Sequence, residues 1–292
     1  MIPPLVSFVA WNRLGLTARN LTALLATRDD FELYIIDNNS TDNSWDFIQD
    51  LRDERIKLRK RFELNRGPVY ASNYNLSRRK REQYFITVDS DVNIHTPDWV
   101  SVFLNAFSVF PEVGLLGAVS KEYYDRYNQT IIRKEERGIY YLQLVRGFVE
   151  GCCQCLRPEL LDILGYWSEE SCMGDAEICS RICTGTSYKA GFLPAVAIDQ
   201  LQHVNCNECA AQKWCGLDRG KKTCFDIRNE KYSNPRFRTV NGWKHNKCIK
   251  EMEQGRRPVF CPSVHDAESR KAVLYNSSMA EENFRFYELH GN

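Results

Sequence analysis

The chain has 292 residues, 43% of them hydrophobic, which is enough to bury a large core in one domain or two. Its 39 basic and 38 acidic side chains nearly cancel, so no whole-molecule field attracts it to nucleic acid or membranes. No stretch approaches the roughly 20 apolar residues of a membrane span. The N-terminus lacks a basic region and a cleavage site, so we expect a cytoplasmic protein.

Strand-like and helix-like segments alternate along the first two thirds of the chain. Short apolar runs predict strands at 5–11, 31–36, 55–61, 84–89, 113–119, 148–156 and 192–198. Helical spacing or helix-start signals follow most of them, for example after Asn43, at Pro158 and at Gly174. Repeated strand and helix units imply an α/β fold with a mostly parallel sheet flanked by helices.

The strand at 84–89 runs into two carboxylates, Asp89 and Asp91, separated by one residue. In open α/β sheets the carboxyl ends of strands face the ligand-binding cleft. An Asp-x-Asp pair offers hard oxygen ligands to a divalent cation, although an ordinary turn also favours Asp and Ser.

Twelve cysteines are distributed unevenly, since none precedes Cys152. The first six, Cys152 to Cys183, are expected to pack as small apolar residues. The later spacing favours a structural Zn²⁺ site, and an iron-sulfur cluster, disulfides or free thiols stay open as alternatives. The candidate zinc ligands are Cys206, Cys209, Cys215 and Cys224. We therefore predict a Cys-rich C-terminal region at 205–292, possessing no amphipathic run long enough to form a core alone.

Five segments in order resemble loops of the GT-A fold glycosyltransferases, most closely the inverting family 2 type. They are VSFVAWNR at 6–13, IIDNNSTD at 35–42, NRG at 65–67, DSD at 89–91, and GDAE at 174–177 with Arg181. The resemblance covers about the first 200 residues and implies a Rossmann-like GT-A catalytic domain at 1–204. Its nucleotide-sugar half would be 1–115 and its acceptor half 116–204.

The resemblance also implies roles for individual residues. The nucleotide base and ribose would be bound by Ala10, Asn12, Arg13, Asp37, Asn38 and Asp89. Asp91 would bind Mn²⁺ or Mg²⁺, with His203 as a further metal or phosphate contact, and Arg66 would bring a cation to the diphosphate. Asp175 would be the general base, whereas without the resemblance it is better explained as a helix N-cap.

Two departures from the family pattern leave the donor open. Val9-Ala10 stands where the family usually has Pro-Thr, and Asn38 stands where many members have an acid. Asn presents both a donor and an acceptor, so a UDP, GDP or dTDP type of nucleotide sugar is compatible with the sequence.

The resemblance implies a metal-dependent inverting glycosyltransferase acting on a glycan, a protein or a modified nucleic-acid base. Basic runs at 57–61, 78–81 and 219–222 permit a nucleic-acid acceptor, although such runs usually form solvated faces. The alternative is a non-catalytic binding module that keeps the nucleotide-sugar fold and uses the basic Cys-rich tail for a nucleic-acid or protein partner.

Overall fold

The structure is a computed structural model that describes residues 2–124, 142–145, 148–171, 173–200, 212–214 and 235–290. The predicted metal contact His203 and the four candidate zinc ligands Cys206, Cys209, Cys215 and Cys224 lie outside these ranges. Their roles stay predictions.

Strands and helices alternate strictly in the first part of the chain, as the sequence predicts. The elements are β1 (Leu5–Ala10), α1 (Leu14–Leu25), β2 (Glu32–Asp37), α2 (Ser44–Asp50), β3 (Ile56–Arg61), α3 (Pro68–Leu76) and β4 (Phe85–Asp89).

The second part continues the sheet and then becomes helical. It contains β5 (Val92–Ile94), α4 (Trp99–Val109), β6 (Val113–Gly117), α5 (Lys121–Tyr124), β7 (Gln143–Val145), β8 (Cys153–Leu156), α6 (Pro158–Leu164), α7 (Gly174–Gly185), β9 (Lys189–Phe192) and β10 (Ile198–Gln200). A 3₁₀ turn (Gln212–Trp214), α8 (Pro235–Glu253), α9 (Ala267–Ala272) and α10 (Ser277–His290) follow.

Eight strands form one sheet in the order β3-β2-β1-β4-β8-β6-β9-β7. Strands β3, β2, β1 and β4 run parallel, as do β6 and β9, while β8 and β7 run antiparallel to their neighbours. This is the mostly parallel α/β sheet that the sequence predicts. A separate two-stranded ribbon pairs β5 with β10 and so lies directly after Asp91.

The central strands are buried on both faces because helices cover both. All residues of β6 are buried, as are the first four of β4. Helix α4 contributes Trp99, Phe103 and Phe107, each at most 1% exposed. Burying three aromatic side chains removes several hundred Å² of apolar surface from water, which is the main stabilising contribution of this layer.

Several elements differ from the sequence prediction. Strands β5 and β7 are absent from it, and the strand expected at 148–156 is limited to Cys153–Leu156. The single strand expected at 192–198 is divided into β9, ending at Phe192, and β10, beginning at Ile198. Pro194 lies between them and cannot donate a ladder hydrogen bond. Helix α8 is also absent from the prediction, because its 19 residues are largely polar. Even its buried positions include a polar residue, Asn241, as well as Met252.

The described part of the predicted 205–292 region packs onto the sheet domain. Helix α8 lies against α7, and the backbone of Cys261 bonds both to Leu164 and to Tyr166. The guanidinium of Arg181, which is fully buried, donates to the Val259 carbonyl at 3.2 Å. Residues 256–290 are therefore integrated with the α/β domain by hydrogen bonds as well as by apolar contacts.

Across the residues that the structure describes, no helix combines the length and the apolar character needed to cross a membrane.

Candidate active site

The carboxyl ends of β1, β2 and β4 bring most of the predicted nucleotide-binding residues together. The strand register pairs Ala10 with Asp37 and Val9 with Asp89. The loops that follow these strands therefore begin side by side at one edge of the sheet, where ligands of open α/β folds bind.

The loop after β1 is locked to the loop after β2 through Asn12. The Asn12 backbone N–H donates to Ser40 Oγ at 2.8 Å, and Asn12 Oδ1 accepts from the Thr41 N–H at 2.7 Å. Asn12 has a φ of 53°, in the left-handed region that Asn tolerates better than most residues. The Asn12 side chain thus fixes the shape of the loop that is expected to hold the nucleotide base. Ala10, the last residue of β1, stands directly before this loop.

Arg13 connects this loop to the acidic segment after β4. Its φ is 60°, and it stands immediately before α1. The guanidinium lies 3.3 Å from Asp91 Oδ2 and 3.4 Å from Ser90 Oγ. Sequence reasoning assigned Arg13 to the base pocket, whereas the structure directs its charge toward the predicted cation site.

Asp37 is fully buried at the end of β2. Its Oδ1 accepts from the Ser40 N–H at 2.9 Å and lies 3.6 Å from Arg61 Nε. Its Oδ2 is buried and has no hydrogen-bond partner among the described residues. Burial raises the pKa of Asp37, and the Ser40 hydrogen bonds and the Arg61 charge oppose that rise. A buried acceptor without a partner is costly, so this oxygen is suited to a ligand N–H or O–H group.

Asn38 holds the turn that precedes α3. Its Nδ2 donates to Asn65 Oδ1 at 2.8 Å, and its Oδ1 accepts from the Arg66 N–H at 3.3 Å. Asn65 Oδ1 also accepts from the Gly67 N–H at 3.0 Å. The amide of Asn38 therefore shapes the pocket through the turn at 65–67.

The side chain of Arg66 extends toward α10. Its Nε lies 3.0 Å from Glu288 Oε1, and its Nη1 lies 3.8 Å from Glu281 Oε1. The guanidinium also lies over the rings of Tyr70 and Phe284. The sequence predicts this cation near the diphosphate, which stays a prediction; in the structure the guanidinium also lies beside two glutamates of α10.

Asp89 and Asp91 end the central strand as the sequence predicts. The Ser90 carbonyl accepts from Asn20 Nδ2 at 2.8 Å, which fixes the segment between the two carboxylates. The Asp89 side chain is exposed at the end of β4. Partial desolvation by the neighbouring protein, with repulsion from Asp91 and Asp175, raises the pKa of Asp89, and the Arg13 charge opposes that rise.

Asp175 lies in the first turn of α7 and reaches the same centre through Gly151. Its Oδ2 accepts from the Gly151 N–H at 2.8 Å. The Gly151 carbonyl accepts from Thr87 Oγ1 at 3.0 Å, and the next residue, Cys152, accepts from the Asp89 N–H at 2.8 Å. The predicted base and the predicted cation site are thus joined by one short backbone segment.

Sequence reasoning missed Glu150, which lies on that segment. Its Oε2 accepts from Gln200 Nε2 at 2.7 Å, and its charge contributes to the raised pKa of Asp89. Gln200 ends β10, so Glu150 ties the acidic centre to the β5–β10 ribbon. Nothing in the local sequence distinguishes this glutamate, because its role depends on a strand 50 residues away.

The donor set at this centre suits a hard divalent cation. Carboxylate oxygens are the ligands that Mn²⁺ and Mg²⁺ prefer, and a cation would relieve the repulsion that raises the pKa of Asp89. Within the described ranges no group of three or more His, Cys, Asp or Glu side chains is arranged to hold a metal ion.

The cysteines of the described residues are free thiols, and most are buried. Burial raises the pKa of Cys153, Cys155 and Cys179, which keeps these thiols uncharged. This agrees with their expected role as small apolar residues. Cys183 is exposed, contrary to that expectation, because it lies on the outer side of the last turn of α7.

The basic run at 78–81 is largely paired within the protein. Arg79 lies 2.8 Å from Asp162 Oδ1, Lys80 lies 2.6 Å from Glu32 Oε1, and Arg78 stacks over the Tyr74 ring. These contacts are those of an ordinary surface. The basic run at 219–222 lies outside the described residues, so its role stays a prediction.

Solved structures of known proteins share this fold. The mannosyltransferase PcManGT from Pyrobaculum calidifontis, in complex with GDP-Man and Mn²⁺, aligns with a TM-score of 0.54 and 19% identity over 68% of this chain and 57% of that one. TarS of S. aureus aligns with a TM-score of 0.50 and 14% identity over 97% of this chain and 54% of TarS. This chain thus spans little more than half of either protein.

A fragment of TarS, residues 1–349, in complex with UDP-GlcNAc gives a TM-score of 0.50 and 14% identity over 97% of this chain and 90% of that one. At these identities the similarity shows the fold alone. The sequence itself matches the family described as Glycosyl transferase family 2 over residues 6–164, which is more than half of its 292 residues. The chain therefore belongs to glycosyl transferase family 2.

Proposed function

We propose that this chain is a metal-dependent inverting glycosyltransferase, which moves a sugar from a nucleoside-diphosphate sugar to an acceptor hydroxyl. The observation that carries the proposal is the position of Asp175, held at 2.8 Å by the Gly151 N–H and close enough to Asp89 for their charges to interact. Glycosyl transfer with inversion requires a general base and a cation site close to the same reacting atoms.

A nucleotide donor is supported by the strand ends at Ala10, Asp37 and Asp89. The unpartnered Oδ2 of Asp37 is suited to an N–H of the base or a ribose hydroxyl. The related folds were solved with GDP-Man and with UDP-GlcNAc, so donors of both nucleotide types are the first to test. A dTDP sugar remains compatible with the same polar groups.

Asp91, with Asp89 beside it, would hold Mn²⁺ or Mg²⁺. When bound, the cation supplies positive charge that neutralises the diphosphate as it leaves. Arg13, 3.3 Å from Asp91, adds a fixed positive charge of the chain at the same place. Arg13 is thereby proposed as a diphosphate contact in addition to its place in the loop after β1.

The reaction would be a single displacement. The Asp175 carboxylate accepts the proton of the acceptor hydroxyl, and the resulting oxygen attacks the anomeric carbon from the side opposite the diphosphate. As that bond forms, the bond from the anomeric carbon to the β-phosphate oxygen breaks. The products are a glycoside of inverted configuration, a protonated Asp175 and a nucleoside diphosphate.

The acceptor would approach from the half of the domain that contains β8 and α7. Glycans and proteins are the acceptor classes that fit best, since the basic run at 78–81 is paired internally.

The Asp175→Asn variant tests the base directly. We expect transfer or slow donor hydrolysis to fall about 10²- to 10⁴-fold, because Asn cannot accept the proton. The Gly151 N–H can still donate to the Asn carbonyl, so the fold should remain intact.

The matched control is Asp46→Asn, which removes an exposed acid from the first turn of α2. It should keep wild-type turnover, measured as nucleoside diphosphate released in the presence of Mn²⁺. Full activity in folded Asp175→Asn would refute the base assignment.

A further inference from the structure

Helix α10 packs directly on the turn that borders the donor pocket. This turn, at 65–67, is bonded to Asn38 in the loop after β2 through the Asn38–Asn65 and Arg66–Asn38 hydrogen bonds described above. A displacement of the turn would therefore also shift Asn38, in the predicted base pocket, through these two hydrogen bonds.

Glycine 67 is needed for the contact with α10. Gly67 has a φ of +88°, and a Cβ added there would lie 2.4 Å from Cδ2 of the Tyr287 ring. The Tyr287 ring therefore lies against the turn backbone, so close that a side chain at 67 would collide with it. Both the backbone conformation and the close approach explain the glycine of the Asn-Arg-Gly motif.

The charge of Arg66 is engaged by the same face of α10. Glu288 Oε1 lies 3.0 Å from Arg66 Nε, and Glu281 adds a second carboxylate at 3.8 Å. Glu288 and Glu281 are seven residues apart, which is about two helical turns, so they project from one side of the helix. The Arg66 guanidinium thus lies between two glutamates of α10 and the Tyr70 ring.

The helix itself is anchored to the body of the domain. The Phe284 ring is buried and meets Tyr70 edge-on at 5.0 Å, and Asn283 Nδ2 donates to the Glu169 carbonyl at 2.7 Å. A helix fixed at these two points presents Tyr287 and Glu288 to the turn in a constant position.

We propose that Tyr287 and Glu288 are positioning residues of the donor site, acting through the turn at 65–67 on Asn38. The inference rests on the proposed function, because it requires that a nucleotide sugar bind at the ends of β1 and β2. It gives α10 a role in substrate affinity that the sequence motifs do not assign to any residue after 204.

The role should appear in donor affinity and not in chemistry, since the proposed contacts lead through the turn at 65–67 to Asn38 and not to Asp175. Glu288→Gln keeps the size of the side chain and removes its charge from Arg66. An exchange of this kind at a partly exposed ion pair should weaken nucleotide binding about threefold to fivefold. Tyr287→Ala, which leaves the turn unsupported, should weaken it further, to about tenfold, while Tyr287→Phe keeps the ring and should match the wild type.

The test is calorimetric titration of UDP and of GDP, each with Mn²⁺, into wild type, Glu288→Gln and Glu282→Gln. Glu282→Gln is the matched control, because it lies on the same helix but pairs with Lys244 at 3.4 Å, away from the turn. Thermal unfolding of each variant reports whether the helix is still docked.

Weaker nucleotide binding by Glu288→Gln alone, with an unchanged melting temperature, is the expected result. In addition, Arg66→Ala and the double variant Arg66→Ala/Glu288→Gln should bind equally, because the glutamate acts through the arginine. Equal or tighter binding by Glu288→Gln would overturn the inference. If the wild type bound neither nucleotide, the proposed function would fail first, and the inference with it.

Discussion

At the scale of single residues, Asp37 shows how this chain reserves a polar group for a ligand. The carboxylate is fully buried, one oxygen is satisfied by Ser40, and the other has no partner among the described residues. Burial raises the pKa of Asp37, and the nearby Arg61 charge reduces that rise. A ligand N–H or O–H group would supply the missing hydrogen bond to this oxygen, which would contribute favourably to the binding free energy.

Asp37→Asn should therefore weaken donor binding about 10- to 100-fold, the cost of setting an amide N–H against a ligand donor in a buried site. The Asn carbonyl can still accept from Ser40, so the loop should keep its shape. Calorimetric Kd values for the nucleotide, with circular dichroism as the fold control, measure the effect. An unchanged Kd would remove Asp37 from the site.

At the scale of elements, the short segment before β8 joins three parts of the site. Gly151 bonds Asp175 of α7 and Thr87 of β4, while Glu150 bonds Gln200 of β10. A Cβ at position 151 would lie 2.2 Å from Asp175 Oδ1, a distance that real atoms do not adopt. The glycine therefore allows the Asp175 carboxylate to approach the end of β4 and the start of β8.

Gly151→Ala should displace the Asp175 carboxylate and reduce turnover by at least tenfold, since misplacement of a catalytic group by about 1 Å is costly. The matched control is Gly242→Ala in α8, where a Cβ would meet nothing within 4 Å. Nucleoside diphosphate release and thermal unfolding should be measured for both. Wild-type turnover in Gly151→Ala would mean that Asp175 does not need this contact.

At the scale of the whole molecule, a buried carboxylate ties the last described helices to the α/β domain. Glu169 is 2% exposed and accepts from Asn73 of α3, Ser263, the Val264 N–H and Tyr275. Four hydrogen bonds of 2.6 to 2.9 Å satisfy both of its oxygens. This contact network acts together with the buried side chains Ala280 and Phe284 to hold the polar 254–290 segment on the domain.

His265 belongs to the same junction and should make stability depend on pH. Its Nε2 lies 3.0 Å from the Tyr70 carbonyl, and burial lowers the pKa of His265 to about 4. The folded state thus binds the proton less well than the unfolded chain, whose His has a pKa near 6.5. Stability from this group is full above about pH 6.5 and is lost as the pH falls toward about 4.

The loss should be on the order of 1–2 kcal/mol after allowance for partial exposure. Urea unfolding at several pH values between 4 and 7.5 measures it. His265→Gln should flatten the dependence in this window. A slope unaffected by His265→Gln would show that other groups carry it.

Much of the α/β domain could be predicted from the sequence, because its signals are local. Buried strands such as β4 are apolar runs, and the acids after them are adjacent in the chain. The order of the loops was enough to indicate the family.

The remaining features depend on contacts between residues that are far apart in the chain, and local sequence patterns do not show which of these residues meet in the fold. Arg66 was expected at a phosphate, but its partner Glu288 lies more than 200 residues later. Glu150 acquires its role only where β10 returns beside β5. Helix α8 was missed because its polar composition hides the side that packs on α7.

The central claim is that a nucleotide sugar binds at the ends of β1, β2 and β4 with a cation at Asp91. Its most direct test is calorimetric titration of UDP-GlcNAc and GDP-mannose into wild type, Asp91→Asn and Asp46→Asn, each with Mn²⁺ and with EDTA. We predict binding of at least one donor that EDTA or Asp91→Asn weakens by tenfold or more and that Asp46→Asn leaves unchanged. Binding of neither donor, or equal affinity with Mn²⁺ and with EDTA, would contradict the account.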